Sequence, residues 1–411
     1  MVAGCAGPGE GFETGGPEPA RPAAPGEAVV ADARVRTVQL YARGDEASLP
    51  VLALGGSDQL RLEFDIVGAD AARALDVTFV HTDRGGRERL VPSEYLTGFE
   101  RDDILDSERS GASVAVPYVH YTYDFPNQAI GFAVSGTYRA VVRDGDGSLL
   151  FEAPFYVTEQ LAEVELGFGA AVQGGSVGTA VQPAARLRLD RRIQEYDGSR
   201  FTVCFARNGR TDRLRCAPEP SLVDLAQFQF YLPREQAFSE QESLFRVDLG
   251  MLVTNDQVVD VDRAARPPTA VLDLDYAEFG GDVRDPVLAG VPLVESVFRD
   301  VGRADTDGQY VEATFRFVPA GGRPSPRRVY VVGSFNGWRA APDAEMRWVE
   351  EAGRYEATLL VKQGLYVYGY AGGPAQTPGL GAPSVFTAFV YLDDPRRFTD
   401  RLVAVQSAVA R

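Results

Sequence analysis

The chain has 411 residues, 45% of them hydrophobic and 24% charged, the make-up of a folded globular protein of two to four domains. A net charge of −17 and a pI near 4.7 exclude nucleic acid or an anionic membrane surface as the main partner, since both demand clustered Lys and Arg. The cations are almost all arginine, and Lys362 is the single lysine.

The first 33 residues read as a flexible tether rich in Pro, Gly and Glu. Within it, Val2-Ala3-Gly4-Cys5 has the small-small-Cys form of a bacterial lipoprotein cleavage site, which makes Cys5 a candidate for lipidation. No basic and apolar leader precedes it, so the expectation is that the natural chain starts further upstream. No run of 18 apolar residues exists to span a membrane as a helix.

Residues 34–158 form the first predicted domain. Alternating patterns at 35–41, 51–54, 60–64, 75–80 and 137–142 read as strands. Asp144-Gly145-Asp146-Gly147 is a turn signal ahead of apolar runs at 149–151 and 155–157. In the aromatic stretch 117–126, Tyr118 and His120 share one parity, whereas Val119, Tyr121, Tyr123 and Phe125 share the other. One face is expected to be core, the other a tyrosine-rich contact surface or simply strand-forming sequence.

Residues 159–303 are predicted as a middle β-rich domain, with strands near 185–189, 200–205, 228–231, 244–249 and 269–274. Short helical turns are expected near 222–228 and 286–297. Cys204 and Cys216 flank a turn at Asn208-Gly209, so either a hairpin disulfide or two free buried thiols fits the spacing.

Residues 304–411 are predicted as a C-terminal immunoglobulin-like domain. Val329, Val331 and Gly333 alternate with Tyr330, Val332 and Ser334, and Asn336-Gly337 is a hairpin turn pair. Trp338 follows the turn, where its ring is expected to close one end of a core. The whole chain therefore reads as mostly β, in tandem immunoglobulin-like β-sandwich domains.

Sites of chemistry are scarce. His81 and His120 lack partners at metal-ligand spacing, and both read as structural or exposed. There is no Gly-x-Ser-x-Gly, no Walker loop and no Gly-x-Gly-x-x-Gly after a strand. Carboxylate pairs such as Asp102-Asp103 and Asp393-Asp394 fall in polar turns. No catalytic residue, metal ligand or cofactor site is expected, and the protein is read as a non-enzyme.

Two resemblances follow from these motifs. Gly333-Ser334-Phe335-Asn336-Gly337-Trp338 with 364–370 resembles the isoamylase-type, glycogen-binding immunoglobulin-like modules. That likeness implies a sugar site at Asn336, Trp338, Trp348 and Lys362, and an alternative role as a carbohydrate-binding envelope lipoprotein. A longer series runs through 35–41, 60–65, His81 with 92–99, 118–126, 135–138, 207–210, 245–248 and 360–368. It resembles the plug protein of the type IX secretion system, though Thr82 and Arg84-Gly85-Gly86 stand where that family tends to have Cys and Trp. The resemblance implies a non-enzymatic β protein of the periplasm, associated with the outer membrane. Its partner would be the translocon barrel, whose mouth it closes. The expected contact residues are Glu94, Tyr95, Phe99, Tyr118, His120, Tyr121 and Tyr123.

Overall fold

The structure is a computed structural model describing residues 26–69, 71–111, 114–172, 179–224, 227–239, 243–279, 281, 283, 304–373 and 384–410. Cys5 and the segment 286–297 lie outside the described residues. The protein is mostly β: its strands form paired sheets, and the two α-helices among the described residues, Pro92–Tyr95 and Ala304–Asp307, are single turns. Among the described residues no helix is long and apolar enough to cross a membrane.

In the first sandwich, one sheet runs Val29–Val30, Leu149–Thr158, Gly136–Asp144, Leu75–Thr82, Arg101–Ile104, with Val51–Ala53 joined in parallel to Leu149–Thr158. The facing sheet runs Val35–Ala42, Leu60–Val67, Tyr118–Phe125, Asp106–Arg109. Strand Leu60–Val67 shows how the sequence sets this up. Leu60, Leu62, Phe64 and Ile66 point into the core, so Arg61, Glu63 and Asp65 must point out of it. Residues 29–30, expected in the tether, instead form the edge strand beside Glu152 and Phe151.

The middle sandwich is built from two distant pieces of chain. Ala162–Val172, Thr179–Leu189, Gln227–Tyr231 and Leu222–Asp224 form one sheet. The other runs Arg215–Ala217, Phe201–Arg207, Ser384–Asp394, Thr399–Ala410. One core holds residues of both pieces, Phe201 and Phe205 together with Phe386 and Val390. Between the pieces lies the third sandwich: a sheet of Phe245–Asp248, Leu365–Ala371 and Tyr330–Gly333 packed on Val258–Asp262, Thr269–Tyr276, Tyr310–Val318, Arg354–Lys362 and Arg347–Val349.

The sheets therefore do not divide at 303/304. Segment 245–276 belongs with the third sandwich, and 384–410 returns to the middle one. Local alternation marks a strand but not its partner, and this pairing is long-range. The helical turn expected at 222–228 is also replaced by strand pairing, Leu222–Asp224 on Gln227–Tyr231. Asn336-Gly337 is not a two-residue hairpin either. Tyr330–Gly333 pairs with Leu365–Ala371, and the chain leaves it through a 3-10 turn, Ser334–Asn336, in which Asn336 Oδ1 accepts from Gly333 N at 2.9 Å.

Cys204 and Cys216 are directly opposed on neighbouring strands and are disulfide-bonded. The bond closes a short loop, so the Cys204→Ala/Cys216→Ala variant is expected to lose about 3 kcal/mol by the loop-entropy estimate. A lower melting temperature of the middle sandwich, read by calorimetry, checks this.

Candidate functional site

Because Arg61, Glu63 and Asp65 point away from the first core, they meet whatever covers that face. The neighbouring strand places His120 directly beside Asp65. Arg61 pairs with Asp124 of the same sheet, whereas what covers Asp65 and His120 is the third sandwich, through Tyr310, Lys362 and the turn Ala304–Asp307. Asp65 is fully buried. His120 Nδ1 lies 2.8 Å from its Oδ1. Its Oδ2 accepts from Tyr310 Oη at 2.7 Å and from Lys362 Nζ at 2.8 Å. Lys362 Nζ also donates to the Asp305 carbonyl at 2.7 Å and stands 4.4 Å from the centre of the Tyr118 ring. Tyr118 Oη donates to the carbonyls of Gly308 and Asp305. Tyr41 Oη donates to Glu63 Oε2 at 2.6 Å.

The electrostatics follow from burial and neighbours. Burial alone would raise the Asp65 carboxyl, but Lys362 and His120 hold it below the ordinary carboxylate range. Glu63 is likewise held low against its burial, by His120 and Tyr41. Burial disfavours the charged imidazole, yet the Asp65 and Glu63 carboxylates lift His120 to about 9. Donor atoms of Glu63, His120 and Asp305 all lie within 4.8 Å of one another, close enough in principle to hold a cation. The positive charge there is already supplied by Lys362 and His120. The arrangement is an ionic lock between sandwiches, with its carboxylates engaged by Lys362, His120, Tyr41 and Tyr310. Lys362 Nζ is enclosed by Asp65, the Asp305 carbonyl and the Tyr118 ring, and the free space beside its stem is only about 10 Å³, so a larger, forked guanidinium would crowd the site.

Further buried contacts fix the middle sandwich. Arg401 forms a two-pronged pair with Glu159 at 2.6 and 2.8 Å and also meets Asp394 at 3.0 Å. Tyr391 Oη bonds Thr137 Oγ1 at 3.1 Å, and the Tyr156 and Phe389 rings pack at 4.6 Å. One carboxyl stands apart. Burial pushes Asp275 up to about 7, while hydroxyls of Tyr368 and Tyr370 donate to it from the facing sheet. It borders a cleft of about 590 Å³ with Asp248, Asp256 and Asp273, but its Oδ2 is engaged by the two tyrosines. His81 is fully buried, its charged form disfavoured by burial, with Nε2 3.2 Å from the Ser135 carbonyl.

With this geometry in view, the comparisons are specific. Residues 35–159 match the family described as type 9 secretion system plug protein 1st domain. The first sandwich thus matches the first domain of type IX secretion plug proteins. No curated protein matches the chain. A solved structure of a hypothetical protein from Parabacteroides merdae ATCC 43184 matches with a TM-score of 0.82 at 21% identity, covering 93% of this chain and 99% of that one. At that identity the likeness concerns the fold, which extends the plug domain into the same multi-sandwich body.

The residues expected to touch a partner fare unequally in the plug domain. Tyr95, Tyr121 and Tyr123 are buried in its own core. Tyr118 and His120 are buried against the third sandwich. The Tyr118–His120 face is thus a contact surface, but an internal one, and Tyr121 and Tyr123 on the other face are core. Only Glu94 and Phe99 are exposed, the latter at 68%. Glu94 accepts from Val91 N at 2.8 Å and caps the short helix. Val91 and Leu105, which the sequence reading passed over, are exposed on the same segment.

The expected sugar residues do not assemble. Trp338 is buried beneath Arg210, whose guanidinium lies 4.3 Å from its ring centre. Lys362 is buried in the lock. Trp348 packs against Tyr355 in the third core, whereas Trp338 belongs to a separate cluster. The residues missed from sequence were Glu63, Asp65, Asp305 and Tyr310. Their signal was present as two carboxylates on the non-core face of a strand, together with a lone lysine in an arginine-rich chain.

Two outcomes are expected. Lys362→Met strands a buried carboxylate and costs about 3–5 kcal/mol. Lys362→Arg overpacks the site at about 1–3 kcal/mol. Both should expose Tyr310–Val318 to faster hydrogen exchange. The His120 pKa is raised, so its stabilisation is full below about pH 6.5 and is lost as pH rises towards about 9. The Asp65 and Glu63 contributions are instead lost towards acid. Melting temperature should fall between pH 6.5 and 9, and that slope should flatten in His120→Gln.

Proposed function

We propose that this protein is a non-enzymatic component of a type IX-like secretion system that closes the periplasmic mouth of the outer-membrane translocon barrel. The observation that carries this reading is the plug-protein first domain at residues 35–159. The build supports it. A body that blocks a pore must resist deformation, and here three sandwiches are joined by buried charged and aromatic contacts instead of free linkers. The disulfide Cys204–Cys216 suits an oxidising compartment such as the periplasm. Groups whose surroundings perturb them, Asp65, His120 and Asp275, have their charge matched or hydrogen-bonded by neighbouring side chains. A lipid at Cys5 would hold the plug beside the membrane and make rebinding effectively intramolecular.

The contact with the barrel is assigned to the exposed segment that carries Val91, Glu94, Phe99 and Leu105. A stable seal needs on the order of 1,000 Å² of buried surface, in which exposed apolar side chains serve as anchors. Affinity purification of the tagged protein from native membranes should bring down a very large barrel. Phe99→Ala/Leu105→Ala should reduce that recovery by about tenfold with an unchanged melting temperature. Deleting the gene should admit large antibiotics only in cells that carry the empty barrel. Unchanged permeability there would refute the seal.

A further inference from the structure

The three sandwiches converge on a cavity of about 240 Å³ that the sealing role does not employ. Val38 and Leu49 of the first sandwich, Arg210 of the middle one, and Phe335, Trp338 and Arg339 of the third line it. Two non-glycine residues in its wall hold left-handed backbone, Thr37 at φ 52° and Trp338 at φ 61°. Such conformations survive only where the surroundings impose them, and they gather at binding sites.

The charges around the cavity are not equally matched. Arg36 reaches Asp343 at 3.4 Å. Arg210 is held by both oxygens of Asp212, at 2.8 and 2.9 Å. Arg339 differs from both. Its Nε and Nη1 reach only backbone carbonyls, of Asn336 at 3.3 Å and Val30 at 3.4 Å, both at the long end of hydrogen bonding. Among the described residues no carboxylate lies within 4.0 Å of it. Burial lowers the pKa of its guanidinium. In the same wall the indole N–H of Trp338 is buried without an acceptor. Two under-used donors beside an apolar cavity call for a ligand with an anionic end and an apolar body.

We infer that this cavity binds a short aliphatic chain ending in a carboxylate, with the chain against Val38, Leu49 and Phe335 and the carboxylate on Arg339. Such a ligand touches all three sandwiches at once and would tighten the body. The inference is independent of the barrel, because binding is read on the isolated protein.

Calorimetric titration and thermal shift of the full chain with octanoate, 1-octanol and acetate test it. Octanoate should bind and raise the melting temperature with concentration. Octanol, which lacks the charge, and acetate, which lacks the chain, should each bind at least about tenfold more weakly. Arg339→Met should weaken octanoate by about tenfold or more while leaving octanol unchanged, and Arg339→Lys should restore much of the loss. Val38→Phe should fill the cavity and weaken both octanoate and octanol, and it decides the matter if Arg339→Met does not fold. Octanoate binding no tighter than octanol, or binding that survives in both Arg339→Met and Val38→Phe, would overturn the inference.

Discussion

Asp65 has no exposed surface, and the ammonium that answers it belongs to a sandwich almost 300 residues further along the chain. Taking either ion out of water alone costs several kcal/mol, even after the protein relaxes. The cost is offset only when Lys362, His120 and Tyr310 all reach the same carboxylate, which happens in one relative placement of the first and third sandwiches. Apolar surfaces tolerate sliding, but a buried ion pair does not, because a small displacement leaves a charge unmatched in a medium of low dielectric. The lock thus supplies little net stability and much positional definition. The Arg401–Glu159 pair and the Arg210–Trp338 stack define the middle sandwich in the same way.

The choice of residue reflects that geometry. Elsewhere this chain's basic side chains are all arginine, at surface pairs and at part-buried ones such as Arg401–Glu159, where a planar fork matches a carboxylate. At the lock the space between Asp65, the Asp305 carbonyl and the Tyr118 ring admits a compact ammonium. The single lysine is therefore a structural statement about one site, whatever sets the general preference for arginine.

Much of this was readable from the sequence, and the boundary of legibility is physical. Period-two alternation identified the strand at 60–64 and the apolar core it faces, because side-chain direction in a strand depends only on position. The same alternation placed Tyr118 and His120 together on one face of the next strand without saying whether that face was core. It could not say that the covering partner was the chain itself and not another protein, because partner choice is set by surfaces hundreds of residues apart. For the same reason 384–410 was grouped with the last domain, although the edge it extends is Phe201–Arg207. Trp338 read as an end-cap or a sugar platform, and its burial under Arg210 depends on an approach of two sandwiches that no local pattern encodes. The likeness to the plug family, by contrast, was legible from short motifs in order, and those between 35 and 138 are strands and turns of the matched first sandwich, whereas 207–210, 245–248 and 360–368 lie beyond the match.

The insertion of the third sandwich between the two pieces of the middle one has a temporal consequence. A chain emerging from N- to C-terminus completes the first sandwich early, but Phe201–Arg207, paired on one side with Arg215–Ala217, has no strand for its other side until Ser384–Asp394 arrives. Throughout that wait it is an aromatic-rich edge open to mispairing. The disulfide joining Cys204 to Cys216 ties Arg215–Ala217 to the opposite side of this strand, so only one side is left open. The closing hairpin then seals the other side last, like a clasp fastened after the contents are in place.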